Sequence, residues 1–599
     1  MIYHCEDYTC NYWDEGEKLP ERCPQCGRKL LRANEADMTG DDWTALGNTL
    51  SDAEASDKKR MVDCFRKAAY LGSAWGVCNL GICMEQGNGV EADPVQAFWL
   101  YQQAVEMGSL NAVCCLGVCY EYGIGTAPDA KQAAELYCKA AEYGSPRGQM
   151  LLARAFHDGI GVEADAAEAV HWVRAAAYQR YGEGMHRLGV CYAYGDGVEQ
   201  NWEHAVHWFR EAAESGVSAA MTDLGYCYEK GCGVEQSWEQ AFSWYRRGAE
   251  CGDPVSMCNL GWCYKMGHGV EQNWQEAIKW YEQGAQCGDL RSMNNLAYCY
   301  ERGEGVEQNE DRALYWYRRS AEGGNGDSMC NLGRCYKRGY GVEQNWQEAI
   351  KWYEQGAQCG NLQSMHNLAC CYEHGEGVEQ NMTEAIRWYT AAAEGGNADD
   401  MYNLGWLYDH GEGVEQDMKK AICWYERAAE QNHPAAMNSL GECYAMGRGV
   451  PRDLETAMEW YRRAAELGEA MADYNMGWHL EKAGKLSEAY AHYRKAADGN
   501  DDSAWWALGR FYENGVVVAQ DGKEARRCYE TGEKLGSVKC KMRLARCKLL
   551  GIGGRRAKKA GLDLCRQALE LAKESSEKED YGYEAEMNLL RRTIAENES

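Results

Sequence analysis

Four cysteines close to the start of the chain, Cys5, Cys10, Cys23 and Cys26, have the type and spacing of a metal site. They fall into two close pairs, and two knuckles on hairpin turns can set four sulfurs at the corners of a tetrahedron, the geometry zinc takes. A segment this short has no core of its own, so four unliganded thiols are the poorer reading. His4 is the alternative to Cys5 as a ligand. The expected ion is a structural zinc, with iron as the second choice.

The other chemistry-bearing residues point to packing. Ten of the 30 cysteines share one place in a recurring pattern: Cys83, Cys119, Cys191, Cys227, Cys263, Cys299, Cys335, Cys371, Cys443 and Cys547. A cysteine repeated against a neighbouring helix serves as a small apolar residue. Helices stack about 8–10 Å apart, beyond the Cα separation of about 7 Å that a disulfide spans, so a ladder of bridges is not expected. His204 and His207 lie three residues apart and read as exposed helix surface, as do His374 and His410. The recurring Gly-x-Gly pairs follow helices and repeat, so they are not nucleotide-binding loops. No Ser/His/Asp arrangement or phosphate loop stands out, and no enzymatic activity is expected.

What would position these residues is a repeat. A Gly-x-Gly pair returns every 36 residues from Gly87/Gly89 to Gly447/Gly449, through ten intervals without a slip. A fixed period in this range marks stacked supersecondary units. Within one unit, Asp253-Pro254 offers a helix cap followed by proline at the first helical position. Met257, Leu260, Gly261 and Tyr264 recur at helical spacing, and Gly267 ends the helix. A second helix starts at Asn273, whose spacing to Glu276 is that of a capping box, as for Asn345 with Glu348 and Asn381 with Glu384. Ala277, Trp280 and Tyr281 form its apolar face, and Gly288 ends it. Neither helix buries its stripe alone, so the pairs must stack. Asn273–Gly288 and Asn345–Gly360 are identical, the mark of a duplicated two-repeat block.

The pattern A-x-x-x-L-G-x-x-Y-x-x-G-x-G-V-x-x-[DN]-x-x-x-A-x-x-W-Y, best seen at Ser256–Tyr281 and Ser328–Tyr353, resembles the Sel1-like repeat, a relative of the tetratricopeptide repeat. The resemblance implies an all-α fold, a right-handed α/α solenoid of about 14–15 helix pairs over residues 35–575. A polar capping helix over 576–599 would close it. Residues 1–34 resemble a rubredoxin-like zinc ribbon, with four residues rather than two inside the first knuckle. A cysteine-rich, secreted Sel1-like subfamily is linked to penicillin binding or hydrolysis. Its bridges join a cysteine late in one helix to one early in the next, a spacing that only Cys251 and Cys258 approach. A β-lactamase-like hydrolase is therefore the most distant of three functional readings.

The leading reading is a protein- or peptide-binding scaffold. By the tetratricopeptide analogy, the residue after the first-helix glycine points into a concave groove. Tyr226, Trp262 and Tyr298 stand there in successive units and mark the expected centre of the groove, with Trp406 and Trp478 farther on. These rings either line the groove or pack sideways on the next unit. The asparagines before Leu-Gly or Leu-Ala, Asn79, Asn259, Asn295, Asn331, Asn367 and Asn403, either hold an extended peptide backbone or bond between units. Lys+Arg total 63 against Asp+Glu 92, a net charge of −29. Such a surface disfavours nucleic acid and anionic lipid and favours a basic partner. No run of about 18 apolar residues is present to span a membrane. The N-terminus reaches Cys5 before any apolar run, so a cytoplasmic protein is expected. The second reading is a metal- or redox-responsive regulator acting through the four cysteines.

Overall fold

A computed structural model describes residues 2–5, 13–15, 30–32, 38–50, 55–578 and 584–598. Three short strands, β1 (Ile2–Cys5), β2 (Trp13–Glu15) and β3 (Leu30–Arg32), form an antiparallel sheet in the order β2-β1-β3. Tyr3 lies opposite Asp14 on one side and Arg32 on the other. Cys5 ends β1, while Cys10, Cys23 and Cys26 lie outside the described residues.

Every described element after the sheet is helical. The chain divides into two compact units, Met1–Ala313 and Leu314–Ser599, with the boundary inside the helix Glu310–Glu322. Both units are built of antiparallel helix pairs, and nearly all helices have thirteen residues. The first pair is Gly40–Thr49 with Ala55–Tyr70, and the last is Val538–Leu550 with Lys558–Lys578. Ser576 therefore lies within a paired helix. The closing helix is Glu584–Glu598, fixed by Met587 and Leu590 in the terminal core and by a two-point Arg543–Glu586 ion pair at 2.6 and 2.8 Å.

Two contacts explain the glycine spacing. The mid-helix glycine faces the tyrosine ring of its own pair: a Cβ at Gly81 would sit 2.7 Å from Tyr101, and one at Gly405 would sit 2.5 Å from Tyr425. The rings of Tyr101, Tyr245, Tyr281, Tyr353 and Tyr425 are almost fully buried there. In the Gly-x-Gly turn the first glycine is a left-handed cap; Gly267, for example, has φ 75°. The second approaches the preceding pair so closely that a Cβ on Gly269 would lie 2.2 Å from the Trp238 carbonyl oxygen.

The helix starts follow the sequence with one correction. Asp253 accepts a hydrogen bond from the Ser256 amide at 2.6 Å, ahead of Pro254. Asn273, Asn345 and Asn381 each accept from the amide of the glutamate three residues on. The reciprocal half of a capping box is replaced, because each asparagine amide donates instead to a carbonyl of the first helix: Tyr264, Tyr336 and Tyr372. The glutamine of the Val-Glu-Gln turn has a similar task. Gln272, Gln344 and Gln380 donate to the carbonyls of Lys265, Lys337 and Glu373, satisfying acceptors that a helix end leaves open.

Candidate functional site

The rings that follow the first-helix glycine have different surroundings. In the first unit Tyr226 is exposed (44%), with the Lys230 ammonium 6.0 Å from its centroid. Trp262 is half-buried between Trp238 (5.6 Å) and His268 (4.9 Å). Tyr298 carries Lys265 at 4.5 Å and Arg302 at 5.6 Å from its ring, and Lys265 is also 3.6 Å from Glu304. In the second unit Trp406 stacks on His410 at 4.3 Å, and Trp478 has Lys482 over it at 3.8 Å. Trp262 has thus spent much of its surface on neighbours, whereas Trp406 borders open space.

That space is a cleft of about 640 Å³ in the second unit. Residues of five consecutive first helices line it: Tyr402, Trp406 and Asp409, then Asn438 and Glu442, then Tyr474 and Asn475, then Asp501 and Asp502, and lastly Val538 and Lys539. Four carboxylates face two cations, Arg448 and Lys539. Arg448 is held by Asp409 at 2.9 Å and Glu442 at 3.8 Å. Asp501 caps the Ala504 amide at 2.6 Å, yet burial, reinforced by Asp502, pushes its carboxyl up to about 6. Tyr402, Asp409, Glu442 and Asp501 were not singled out from sequence. The signal was an acidic residue at ring and cap positions in adjoining repeats.

The asparagine row makes contacts between pairs. Asn79 donates to Asn48 at 2.8 Å, Asn295 to the Cys258 sulfur at 3.6 Å, and Asn367 to the Cys330 sulfur at 3.3 Å. Asn259 accepts from Arg291 at 3.3 Å, and Asn331 and Asn403 are half-buried at the same place. Asn475, one row position into the cleft, donates to Asn438 at 3.0 Å and to Glu442 at 3.1 Å. The ten equivalent cysteines are all buried. His374 and His410 face the carbonyls four residues earlier.

The first unit holds a second cavity, about 540 Å³, around the pair Pro146–Asp158 and Ala166–Tyr178. Its floor is Ala153 and Val173, which stand where other pairs set a tyrosine or phenylalanine ring against glycine. The charges around it are largely paired: Arg154 with Glu121 at 2.5 Å, and Arg187 with Asp196 at 3.1 Å. No group of three metal-ligating side chains occurs among the described residues, and no described helix is long and apolar enough to cross a membrane.

The sequence pattern of the Sel1 repeat matches thirteen segments between residues 76 and 537. A crystal structure of a protective antigen present in uropathogenic Escherichia coli strains, displaying an SLR fold, is 33% identical. It covers 75% of this chain and 97% of its own, with a TM-score of 0.48. A Sel1 repeat protein from Oxalobacter formigenes is 30% identical over 42% of this chain and 98% of its own, TM-score 0.38. Yeast Tom70 aligns over 89% of this chain and 97% of its own at 13% identity, TM-score 0.31. No curated protein matches.

Proposed function

Because the chain belongs to the Sel1 repeat family, we propose that it is a non-enzymatic scaffold whose second unit holds a basic, extended segment of another protein. The observation that carries this reading is the cleft, where aromatic faces and unbalanced carboxylates meet. Tyr402, Trp406 and Tyr474 offer flat rings that attract cations, and Asp501 and Asp502 offer ion pairing. First helices contribute along its whole length, so an extended chain fits better than a compact ligand. The cavity of the first unit supports such a role less, since its charges already satisfy one another. Trp406 is the expected anchor, because a large aromatic ring in a binding patch carries a disproportionate share of the binding energy.

Fluorescence anisotropy with labelled nonapeptides tests this. A Lys/Arg-rich peptide should bind, an acidic peptide of the same length should not, and salt should weaken the complex. Trp406→Ala should lower affinity about tenfold or more, with helical content unchanged. Equal binding of basic and acidic peptides, or unchanged affinity in Trp406→Ala, would refute the assignment of this cleft.

A further inference from the structure

The helix Leu362–His374 carries His366 and Cys370 one turn apart, on one face. His366 Nε2 lies 3.5 Å from the Cys370 sulfur, and His366 Nδ1 lies 2.6 Å from Asp400 Oδ1 in the first helix of the next pair. Asp400 is wholly buried, and its second oxygen has no hydrogen-bond partner. On the other side of the sulfur, Tyr389 Oη approaches to 3.4 Å and donates to Glu373 at 2.5 Å. These are the groups facing Cys370: an imidazole from its own helix, a carboxylate behind that imidazole, and a phenol that holds the Glu373 carboxylate.

The repeat shows how unusual this is. At the position of Asp400 the earlier pairs have Ser256, Ser292, Ser328 and Ser364, all buried. At the position of His366 they have Thr222, Cys258, Asn294 and Cys330. Thr222 and Ser256 make the equivalent contact between pairs with two hydroxyls, 2.5 Å apart. Here the same contact is a carboxylate–imidazole bond, and the residue beyond it is a half-buried cysteine in the row of Tyr226, Trp262, Tyr298 and Trp406.

A nucleophile, a base in reach of it and a group that orients the base form the arrangement that activates thiols. We propose that Cys370 is a nucleophilic thiol, served by His366 and positioned through Asp400, that exchanges with low-molecular-weight disulfides. The hydrogen bond to Asp400, followed by that to Cys370, raises His366 to about 10 against the effect of burial. The ring therefore faces the sulfur as a cation at neutral pH, a positive charge beside the attacking atom. The sulfur attacks one sulfur of the small disulfide, forms a mixed disulfide on Cys370 and releases the other half as a thiolate. The proton lost by Cys370 goes to solvent, His366 keeps its own, and the released thiolate is protonated from water according to its own acidity. The reaction is stoichiometric. Cys370 sits within a helix whose amides are committed to helical hydrogen bonds, so they are not free to stabilise the oxyanion of an acyl transfer.

The test is the reaction of the full chain with 5,5′-dithiobis(2-nitrobenzoate) at pH 6, followed by peptide mass spectrometry. The exposed Cys359 and Cys423 of the same unit are internal references. Cys370 should be labelled faster than both despite its partial burial. His366→Gln should slow Cys370 about tenfold, because the cation beside the sulfur is lost. Asp400→Asn should slow it less, because the imidazole remains. Labelling of Cys359 and Cys423 should be unchanged in both variants, which also reports that the fold is intact. The proposal falls if wild-type Cys370 reacts no faster than the references, or if His366→Gln leaves its rate unchanged. If either variant alters the reference rates, the isosteric Asp400→Asn and the charge-conserving Asp400→Glu are compared for Cys370 relative to Cys359. A ratio equal to wild type in both would overturn the proposal.

Discussion

Replacing tyrosine by phenylalanine at one and the same repeat position should stabilise one pair and destabilise its neighbour. Tyr245 is buried and donates its hydroxyl to Glu229 at 2.8 Å. Tyr281, 36 residues on, is equally buried, but Lys265 occupies the place of the glutamate and the hydroxyl has no partner. A hydrogen bond to a charged group contributes about 1.5–3 kcal/mol, and a buried polar group left unpaired costs about 1–3 kcal/mol. Tyr245→Phe should therefore lower local stability by about 2 kcal/mol, and Tyr281→Phe should raise it by about 1 kcal/mol. Hydrogen exchange of the helices Trp238–Glu250 and Trp274–Gln286 reads these changes locally, where a long repeat array has no single unfolding midpoint. Each 1.4 kcal/mol is about a tenfold change in protection. Lys265→Glu supplies the missing acceptor, although it also sets a carboxylate near Glu304. In that background Tyr281→Phe should change sign and behave like Tyr245→Phe. If Tyr281→Phe instead costs as much as Tyr245→Phe in the wild-type background, the ring alone carries the contact and the account of the hydroxyl is wrong.

Two further outcomes follow from local strain and charge. Val517 stands where most pairs have the second glycine of the turn, and it is held at φ 65°, a conformation that β-branched residues avoid. Val517→Gly should stabilise the region by about 0.5–1 kcal/mol, the relief of strain exceeding the backbone entropy glycine loses, and exchange at Asp502–Asn514 should slow. Asp501 is raised from 3.8 to about 6, so its protonated form suits the fold; that contribution is complete below pH 3.8 and lost as pH rises through 6. Asp501→Asn keeps an oxygen for the cap and removes the charge. It should match wild type at pH 3 and exceed it by about 1–2 kcal/mol at pH 7, allowing for screening. A constant difference across that range would exclude the carboxyl as the source.

Much of the fold was legible because glycine at fixed spacing has few meanings. Gly267 announced a left-handed cap, and it occurs; the close approach of Gly269 to the preceding pair emerges only from the structure. The capping box at Asn273 was half right: its spacing says nothing of the Tyr264 carbonyl, which comes from the preceding helix and takes the asparagine amide. Periodicity placed the rings of Trp262 and Trp406 in one row but not their exposure. Exposure depends on Trp238 and His268 in one pair and on the cleft in another. The His366–Asp400 contact joins residues 34 apart whose roles appear only when equivalent repeats are compared side by side. An aspartate where four earlier repeats have serine was the readable sign. The four-cysteine reading rests on residues that, Cys5 apart, lie outside the described chain.

The cavity over Ala153 and Val173 shows how such an array gains internal room. Nothing is inserted, and the 36-residue spacing runs through it unbroken from Gly123 to Gly159 to Gly195. One ring is withdrawn, its glycine acquires a methyl group, and the adjoining pairs keep their own contacts. In a globular core the loss of an aromatic side chain is a defect spread over many neighbours. Here the damage is confined to one module, so each module can be hollowed and refitted on its own. An ancestor with thirteen like modules would thus have held thirteen separate opportunities to evolve a recess, none of them jeopardising the rest of the chain.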